Sequence, residues 1–188
     1  MKFKVDVVGL KQLRAKIQGM KQRLGDMEPA SIRAGVVVLT AAREHIEGRG
    51  GGSWVPTLET EKGAPLFRTG RLMNSLTMGA EGNVARIEGG NSITVGTNLA
   101  TPGGFSIGRM MQEGTGIYGP RGQPIVAKGR ALTFVVNGRR VFARSVKGAP
   151  KRPFLWIDDH IANAVRDVYA NYIMHGDDRS RDARGRFV

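Results

Sequence analysis

Apolar residues recur along this chain at two spacings, which divide it into candidate helices and candidate strands. Steps of three and four residues place apolar side chains on one face of a helix. They predict an N-terminal helix that ends at Gly25, a second helix from Pro29 to Ile46, and a final helix that follows Leu155 and ends at Gly176. We expect the second to be the main buried helix. The first carries its apolar face at Leu10, Leu13, Ile17, Met20 and Leu24.

Alternation of apolar and polar residues with a period of two predicts strands. Two hairpins are expected, with their strands at residues 84–88, 92–96, 131–136 and 139–145. A glycine turn joins the first pair. Residues 3–7 have the pattern of a further short strand. Short helices are expected at residues 105–113 and at residues 71–76, the latter capped by Thr69.

The second hairpin has two unlike faces. Asn137-Gly138 between its strands is a strong signal for a two-residue turn. In that register Phe134 faces Val141, and Leu132 faces Ala143, which gives one apolar face. The opposite face carries Thr133, Val135, Arg140, Phe142 and Arg144. Arginines beside an exposed phenylalanine are unusual on a free surface and are typical of an interface.

These elements predict an α+β fold, in which an antiparallel β-sheet of two hairpins, with the N-terminal strand as a candidate addition, packs against two or three α-helices. Residues 1–25 would form the N-terminal strand and a basic amphipathic helix, and residues 26–175 a single core domain. Long loops are expected at 48–65 and 97–130, and a disordered tail at 176–188. The expected core comprises Ile32, Val36, Leu39, Ile46, Leu72, Ile87, Val95, Leu132, Phe134, Val141, Phe154, Ile157, Ile161 and Val165.

Composition limits the classes of protein that this chain can belong to. Its 188 residues, 40% of them hydrophobic, suffice for one core, whereas 27 glycines and only 6% aromatic residues predict long irregular segments. The absence of cysteine excludes disulfides and cysteine-ligated metals. No apolar run is long enough to span a bilayer, and the N-terminus lacks the apolar core of a secretory signal, so no membrane partner is expected.

Positive charge is concentrated in one region of the chain. The formal net charge is +13. Residues 121–156 contain no acid and nine bases, which are Arg121, Lys128, Arg130, Arg139, Arg140, Arg144, Lys147, Lys151 and Arg152. Such a surface attracts either nucleic acid or an acidic protein. Phosphate contacts with stacking on Phe134, Phe142 and Phe154 would give a nucleic-acid-binding protein, and charge alone leaves both readings open.

No set of residues in the sequence has the spacing of a catalytic, metal or cofactor site. The stretch from Glu113 to Pro120 is rich in glycine but lacks the Gly-Lys-Ser/Thr ending of a nucleotide P-loop. Asp158, Asp159 and His160 are adjacent, but successive helical residues point about 100° apart and do not converge on one ion. A metal-dependent hydrolase is therefore the least favoured alternative. We expect no enzyme, no metal and no cofactor.

Four short signals follow one another in a fixed order. They are Trp54-Val55-Pro56, residues 66–72 followed by Ser75, Glu113-Gly114-Thr115-Gly116, and Arg152-Pro153-Phe154-Leu155. Each pairs an apolar anchor with a turn or a helix cap. Trp54 would either anchor a contact between subunits or fold onto its own core. The candidates for a subunit interface are Trp54, Tyr118, Val135, Asn137, Gly138, Arg139, Arg140, Phe142, Arg144, Arg152 and Phe154.

Over residues 28–175 the order of these signals resembles the head–tail joining proteins of long-tailed bacteriophages, also called neck, tail-completion or virion-morphogenesis proteins. The resemblance implies a structural component without catalytic residues. It implies a homo-oligomeric ring, expected to be a hexamer, between the portal and the tail. Its neighbours would be head-completion proteins and tail-tube or tail-terminator proteins, with non-specific DNA contact in the channel. The chain would reside at the head–tail junction of the virion, and in the host cytoplasm during assembly.

Overall fold

The computed structural model describes residues 9–55, 70–136 and 138–176. Within them the chain forms five α-helices and six short β-strands, which confirms the α+β class. The helices are α1 (Leu10–Gly25), α2 (Glu28–Glu47), α3 (Arg71–Ser75), α4 (Ile107–Glu113) and α5 (Asp159–His175). The strands are β1 (Asn83–Glu88), β2 (Ser92–Thr97), β3 (Ile125–Val126), β4 (Leu132–Val136), β5 (Arg139–Ala143) and β6 (Ser145–Val146).

Helix α2 lies at the centre of the subunit, with α5 on one side and the β1–β2 hairpin on another. Pro29 lies in its first turn, where a missing backbone N–H costs nothing. Most of its buried residues are small, namely Ala30, Ser31, Ala34, Gly35, Ala41 and Ala42. Small side chains let two neighbours approach one helix closely. At Gly35 a Cβ atom would lie 2.7 Å from the Ile93 side chain, so the hairpin packs directly on the helix backbone.

The choice of buried face on α2 differs from the sequence-based expectation. Leu39 and Ile46 are buried as expected, but Ile32 and Val36 are 39% and 36% exposed. The prediction for these two was wrong because it selected the bulkiest apolar residues. Close packing against two neighbours selected the small ones instead.

A polar contact joins the three elements at the N-terminal end of α2. The hydroxyl of Ser31, which is fully buried, donates to the carbonyl of Gly90 in the β1–β2 turn at 2.9 Å. The same oxygen lies 3.0 Å from the hydroxyl of Tyr169 on α5. A buried hydroxyl with two partners is satisfied and fixes the position of both neighbours.

Both predicted hairpins are present and antiparallel. Glu88 pairs with Ser92 in the first hairpin. In the second, Phe134 pairs with Val141 and Leu132 with Ala143, as expected. The hairpins form separate two-stranded sheets, and a third small ladder joins β3 to β6. The strand predicted at residues 3–7 lies outside the described residues, as do residues 177–188 of the predicted tail.

The remaining core residues differ in how deeply they are buried. Leu72, Phe154 and Ile161 are buried, whereas Ile87, Val95, Leu132, Val141 and Val165 are half-buried. Phe134 and Ile157 are exposed, at 36% and 68%, and their assignment to the core was wrong. Phe134 lies on the β4–β5 hairpin, which packs extensively against no other described helix or strand, and Ile157 lies in the segment before α5. The hydrophobicity of these two residues did not indicate that they are exposed.

Helix α3 begins at Arg71 as expected, whereas α4 begins at Ile107, two residues later than expected. Ser106 caps α4 by accepting a hydrogen bond from the backbone N–H of Arg109. Gly70 occupies the N-cap of α3, and Thr69, the expected cap, lies outside the described residues. In the described part of the chain, no helix has the length and apolarity needed to cross a membrane.

We predict that Gly35→Val destabilises the protein by about 1–3 kcal/mol, since the added methyl groups overpack the contact between α2 and β2. Helix propensity changes little, because glycine and valine both rank low. Gly25→Val is the matched control, as a Cβ there meets no atom within 4 Å. Urea unfolding at fixed protein concentration measures both. Equal midpoints for the two variants would contradict the close packing at Gly35.

Candidate subunit interface

The ordered sequence signals meet in one buried cluster. Trp54, Leu72 and Phe154 come from three of the four signals, and all pack with Leu39, Ala42, Ile46, Met73 and Leu76. Ser75 of the second signal is also buried, and its hydroxyl lies 2.9 Å from Thr97 Oγ1. The signals therefore specify how loops fasten to the core that α2 provides.

Trp54 is 8% exposed, which settles the choice between its two readings in favour of its own core. Its indole lies over Gly50, where a Cβ would collide with the ring. The His45 ring on α2 lies between two tryptophans, with centroids 5.3 Å from Trp54 and 4.0 Å from Trp156. Burial lowers the pKa of His45, and a hydrogen bond with the backbone of Pro153 partly opposes this.

Arg152 is 4% exposed and ties two loops together from within the subunit. Its guanidinium donates to the carbonyl of Val55 at 3.0 Å, while Nε has no hydrogen-bond partner. Desolvation lowers the pKa of Arg152. This arginine therefore holds the segment that carries Trp54 and is not available to bind a phosphate at the surface.

Gln112 on α4 fixes the chain that leads into α5. Its side-chain oxygen accepts from the backbone N–H groups of Phe154 and Leu155, at 3.1 and 3.2 Å. Its side-chain nitrogen donates to the carbonyl of Leu155 at 2.6 Å. One polar side chain thus satisfies three backbone groups of an extended segment. No sequence pattern singled out this residue.

At the glycine-rich signal after Glu113, the backbone passes close to the backbone of residues 147–149. Thr115 N–H donates to the carbonyl of Ala149 at 2.9 Å, and Ile117 N–H to that of Lys147 at 2.8 Å. At Gly116 and Gly148, a Cβ would overlap backbone atoms of the opposite segment, and both have positive φ, at 64° and 93°. Only glycine allows this approach. The geometry accounts for the glycines without a bound phosphate.

Residues 125–146 lie between these two backbone segments in the chain, and we call them the β-arm. The β3–β6 ladder forms its base, and the β4–β5 hairpin forms its end. Apart from each other, neither β4 nor β5 packs extensively against another described helix or strand. Val135 is 50% exposed and Phe142 65% exposed on the outer face. A hairpin with apolar side chains on both faces and little packing against other helices or strands is unusual in a free monomer.

The structure divides the interface candidates into two groups. Trp54, Arg152 and Phe154 lie within the subunit, so their side chains do not form its surface. The exposed candidates are Tyr118, Val135, Gly138, Arg139, Arg140, Phe142 and Arg144. All but Tyr118 lie on the β-arm. Asn137 lies outside the described residues, and Gly138 has the positive φ of 76° that a tight turn requires.

Charge on the β-arm is also exposed. Of the nine bases in residues 121–156, every one except Arg152 is exposed. Within the described residues, none of the bases on the β-arm forms an ion pair with an acid. The exposed surface of the β-arm is therefore both apolar and cationic.

The carboxylate of Asp158 acts as a helix cap. It accepts from the backbone N–H of Ile161 at 2.8 Å and from the indole N–H of Trp156 at 3.2 Å. These bonds, the first above all, lower the pKa of Asp158. Nowhere in the described ranges do three His, Cys, Asp or Glu side chains gather as metal ligands would.

Comparison of the chain with protein-family models, with curated proteins and with solved structures finds no match.

We predict that stability falls as the pH is lowered from 7.5 to 5.0, and that His45 contributes to this fall. The pKa of His45 is below its ordinary 6.5 in the folded state, so the unfolded chain binds more protons near and below pH 6.5. Stability attributable to His45 is therefore complete above pH 6.5 and decreases below it. His45→Phe keeps an aromatic ring and removes the titration. Urea midpoints at the two pH values should differ less in this variant, and an equal difference would contradict the assignment.

Proposed function

We propose that this protein is a structural component of a bacteriophage virion, and that it assembles as a homo-oligomeric ring at the head–tail junction. The observation that carries the proposal is the contrast between two parts of the molecule. The ordered sequence signals attach loops to the core, whereas the apolar and cationic side chains of the β-arm are exposed. A protein that acts through assembly needs this combination more than it needs a reactive pocket.

The β-arm supplies the contact between subunits. Burying Val135 and Phe142 against a neighbour would contribute about 1.5–3 kcal/mol each, since both are half or more exposed in the isolated subunit. Both lie on a hairpin that packs extensively against no other described helix or strand, so their exposed surface is accessible to a neighbour. Tyr118, which is 47% exposed, provides a further amphipathic contact residue.

The charge on the β-arm determines which surface of a neighbour the arm can contact. Two arms that met through the face carrying Val135 and Phe142 would place Arg140 and Arg144 against their own copies. Like charges in such a contact are unfavourable, so the arm must dock on a different surface of the neighbour. Contacts between unlike surfaces repeat head to tail, and they close into rings when the rotation permits. We infer a closed ring, with a hexamer as the expected size.

In this role the chain binds further copies of itself, with a head-completion protein on one side and a tail-tube or tail-terminator protein on the other. DNA that passes through the channel would meet exposed bases without sequence preference. No step requires a metal, a cofactor or a catalytic group.

We predict that Val135→Ser combined with Phe142→Ser converts the ring to monomers. The pair removes about 3–6 kcal/mol from each subunit contact and leaves the subunit core untouched. Native mass spectrometry measures the assembly, and circular dichroism verifies the fold. Phe105→Ser is the matched control, since Phe105 is 68% exposed but lies away from the β-arm. A wild-type chain that stays monomeric at high concentration, or a double variant with unaltered mass, would overturn the proposal.

A basic nucleic-acid-binding protein is the second candidate, and the exposed bases on the β-arm favour it. Binding of duplex DNA would then weaken steeply with salt, with a slope set by the number of phosphates neutralised.

For that candidate, Arg139→Glu with Arg140→Glu should abolish binding to duplex DNA, measured by fluorescence anisotropy across a salt series. Lys11→Glu with Lys16→Glu changes the net charge equally on α1 and serves as the control. If both pairs weaken binding alike, the effect is general charge and not a site on the arm. If the arm variant retains DNA affinity but no longer assembles, the ring proposal is favoured.

A further inference from the structure

Helix α1 has the sequence of a coiled-coil strand without a partner. Its apolar residues Leu10, Leu13, Ile17, Met20 and Leu24 follow alternating steps of three and four, the spacing of a heptad seam. Leu10, Leu13, Ile17 and Leu24 are 43%, 54%, 56% and 57% exposed, and no residue of α1 is buried. A regular apolar seam is therefore open to solvent along a helix of 16 residues.

Contacts with α5 hold one end of α1 in place. The Arg23 side chain donates to the carbonyls of Ile173 and Met174, at 2.8 and 3.3 Å. The Tyr172 hydroxyl donates to the carbonyl of Asp26 at 2.8 Å, just beyond the helix. Met20 is half-buried on this side. The seam between Leu10 and Ile17 lies beyond these contacts, and within residues 9–55, 70–136 and 138–176 it stays exposed.

Charge specifies what can cover the seam. In the heptad, Arg14 and Lys21 flank it on one side, and Lys16 and Arg23 flank it on the other. All four flanking positions are thus basic, and α1 contains no acidic residue. A second copy of α1 would bring like charges together along both flanks, which disfavours pairing between copies. A helix with acidic residues at its flanking positions would be complementary.

We propose that α1 docks an acidic amphipathic helix of a different protein, with apolar residues at the seam and Glu or Asp beside it. A lipid surface fits less well, because an interfacial helix needs a broad apolar face, whereas this stripe is a narrow seam with bases on both sides. The inference does not depend on the β-arm or on ring formation, since it is carried by α1 alone.

The test titrates the full chain with three synthetic helical peptides, each about three heptads long. One has Leu at the seam and Glu at the flanks, the second has Leu with Lys, and the third has Ser with Glu. Fluorescence anisotropy at low salt should show that the first binds at least about tenfold tighter than the others. Leu13→Gln with Ile17→Gln should lower that affinity by about tenfold or more, while Gln12→Ala with Gln18→Ala should leave it unchanged.

Several outcomes would overturn the proposal. Equal binding of the two Glu peptides would show that charge alone accounts for the binding. Failure of all three peptides to bind would show that the seam binds no helix. Stronger binding to vesicles of anionic lipid than to the first peptide would identify a membrane surface. A gain in peptide affinity when residues 177–188 are removed would make the chain's own tail the occupant. A change of oligomer mass in Leu13→Gln with Ile17→Gln would make the contact one between copies.

Discussion

The close packing of α2 against two neighbours is the constraint on which the rest of the subunit depends. Small residues on this helix admit α5 and the β1–β2 hairpin at short range, and Gly35 leaves no space for a side chain. The buried hydroxyl of Ser31 then joins all three elements. Because the C-terminal half of α2 also carries Leu39, Ala42 and Ile46 into the main apolar cluster, the loops fasten to the same helix. A core with few aromatic residues is thus sufficient.

This arrangement explains how much the sequence could predict. Periodicity identified α2, α5 and both hairpins, because each has a repeat that the backbone geometry imposes. It did not identify the buried face of α2, since Ile32 and Val36 satisfy the same repeat as the small residues that are buried. Hydrophobic scales favour large side chains, whereas a helix between two close neighbours requires small ones. Side-chain size therefore determined which residues of α2 are buried.

The candidate interface was predictable in part for a related reason. The pairing of Phe134 with Val141 followed from the turn signal, and that register sends Val135 and Phe142 to the opposite face. Trp54 and Phe154 were harder to assign, because a large apolar residue in a loop fits a subunit contact and a core equally well. Gln112 gave no signal at all, since its role depends on backbone groups more than 40 residues away. Local pattern cannot report a contact of that kind.

Exposed basic surface is present at two separate elements, α1 and the β-arm, and this limits how the molecule can assemble. Both combine apolar residues with bases, so neither is complementary to the other in a neighbouring copy. In the head-to-tail ring that we propose, the β-arm would therefore dock on a surface that is less basic than α1. Such docking would leave the seam of α1 exposed. A molecule built in this way could use one surface to join its copies and another to bind a different protein.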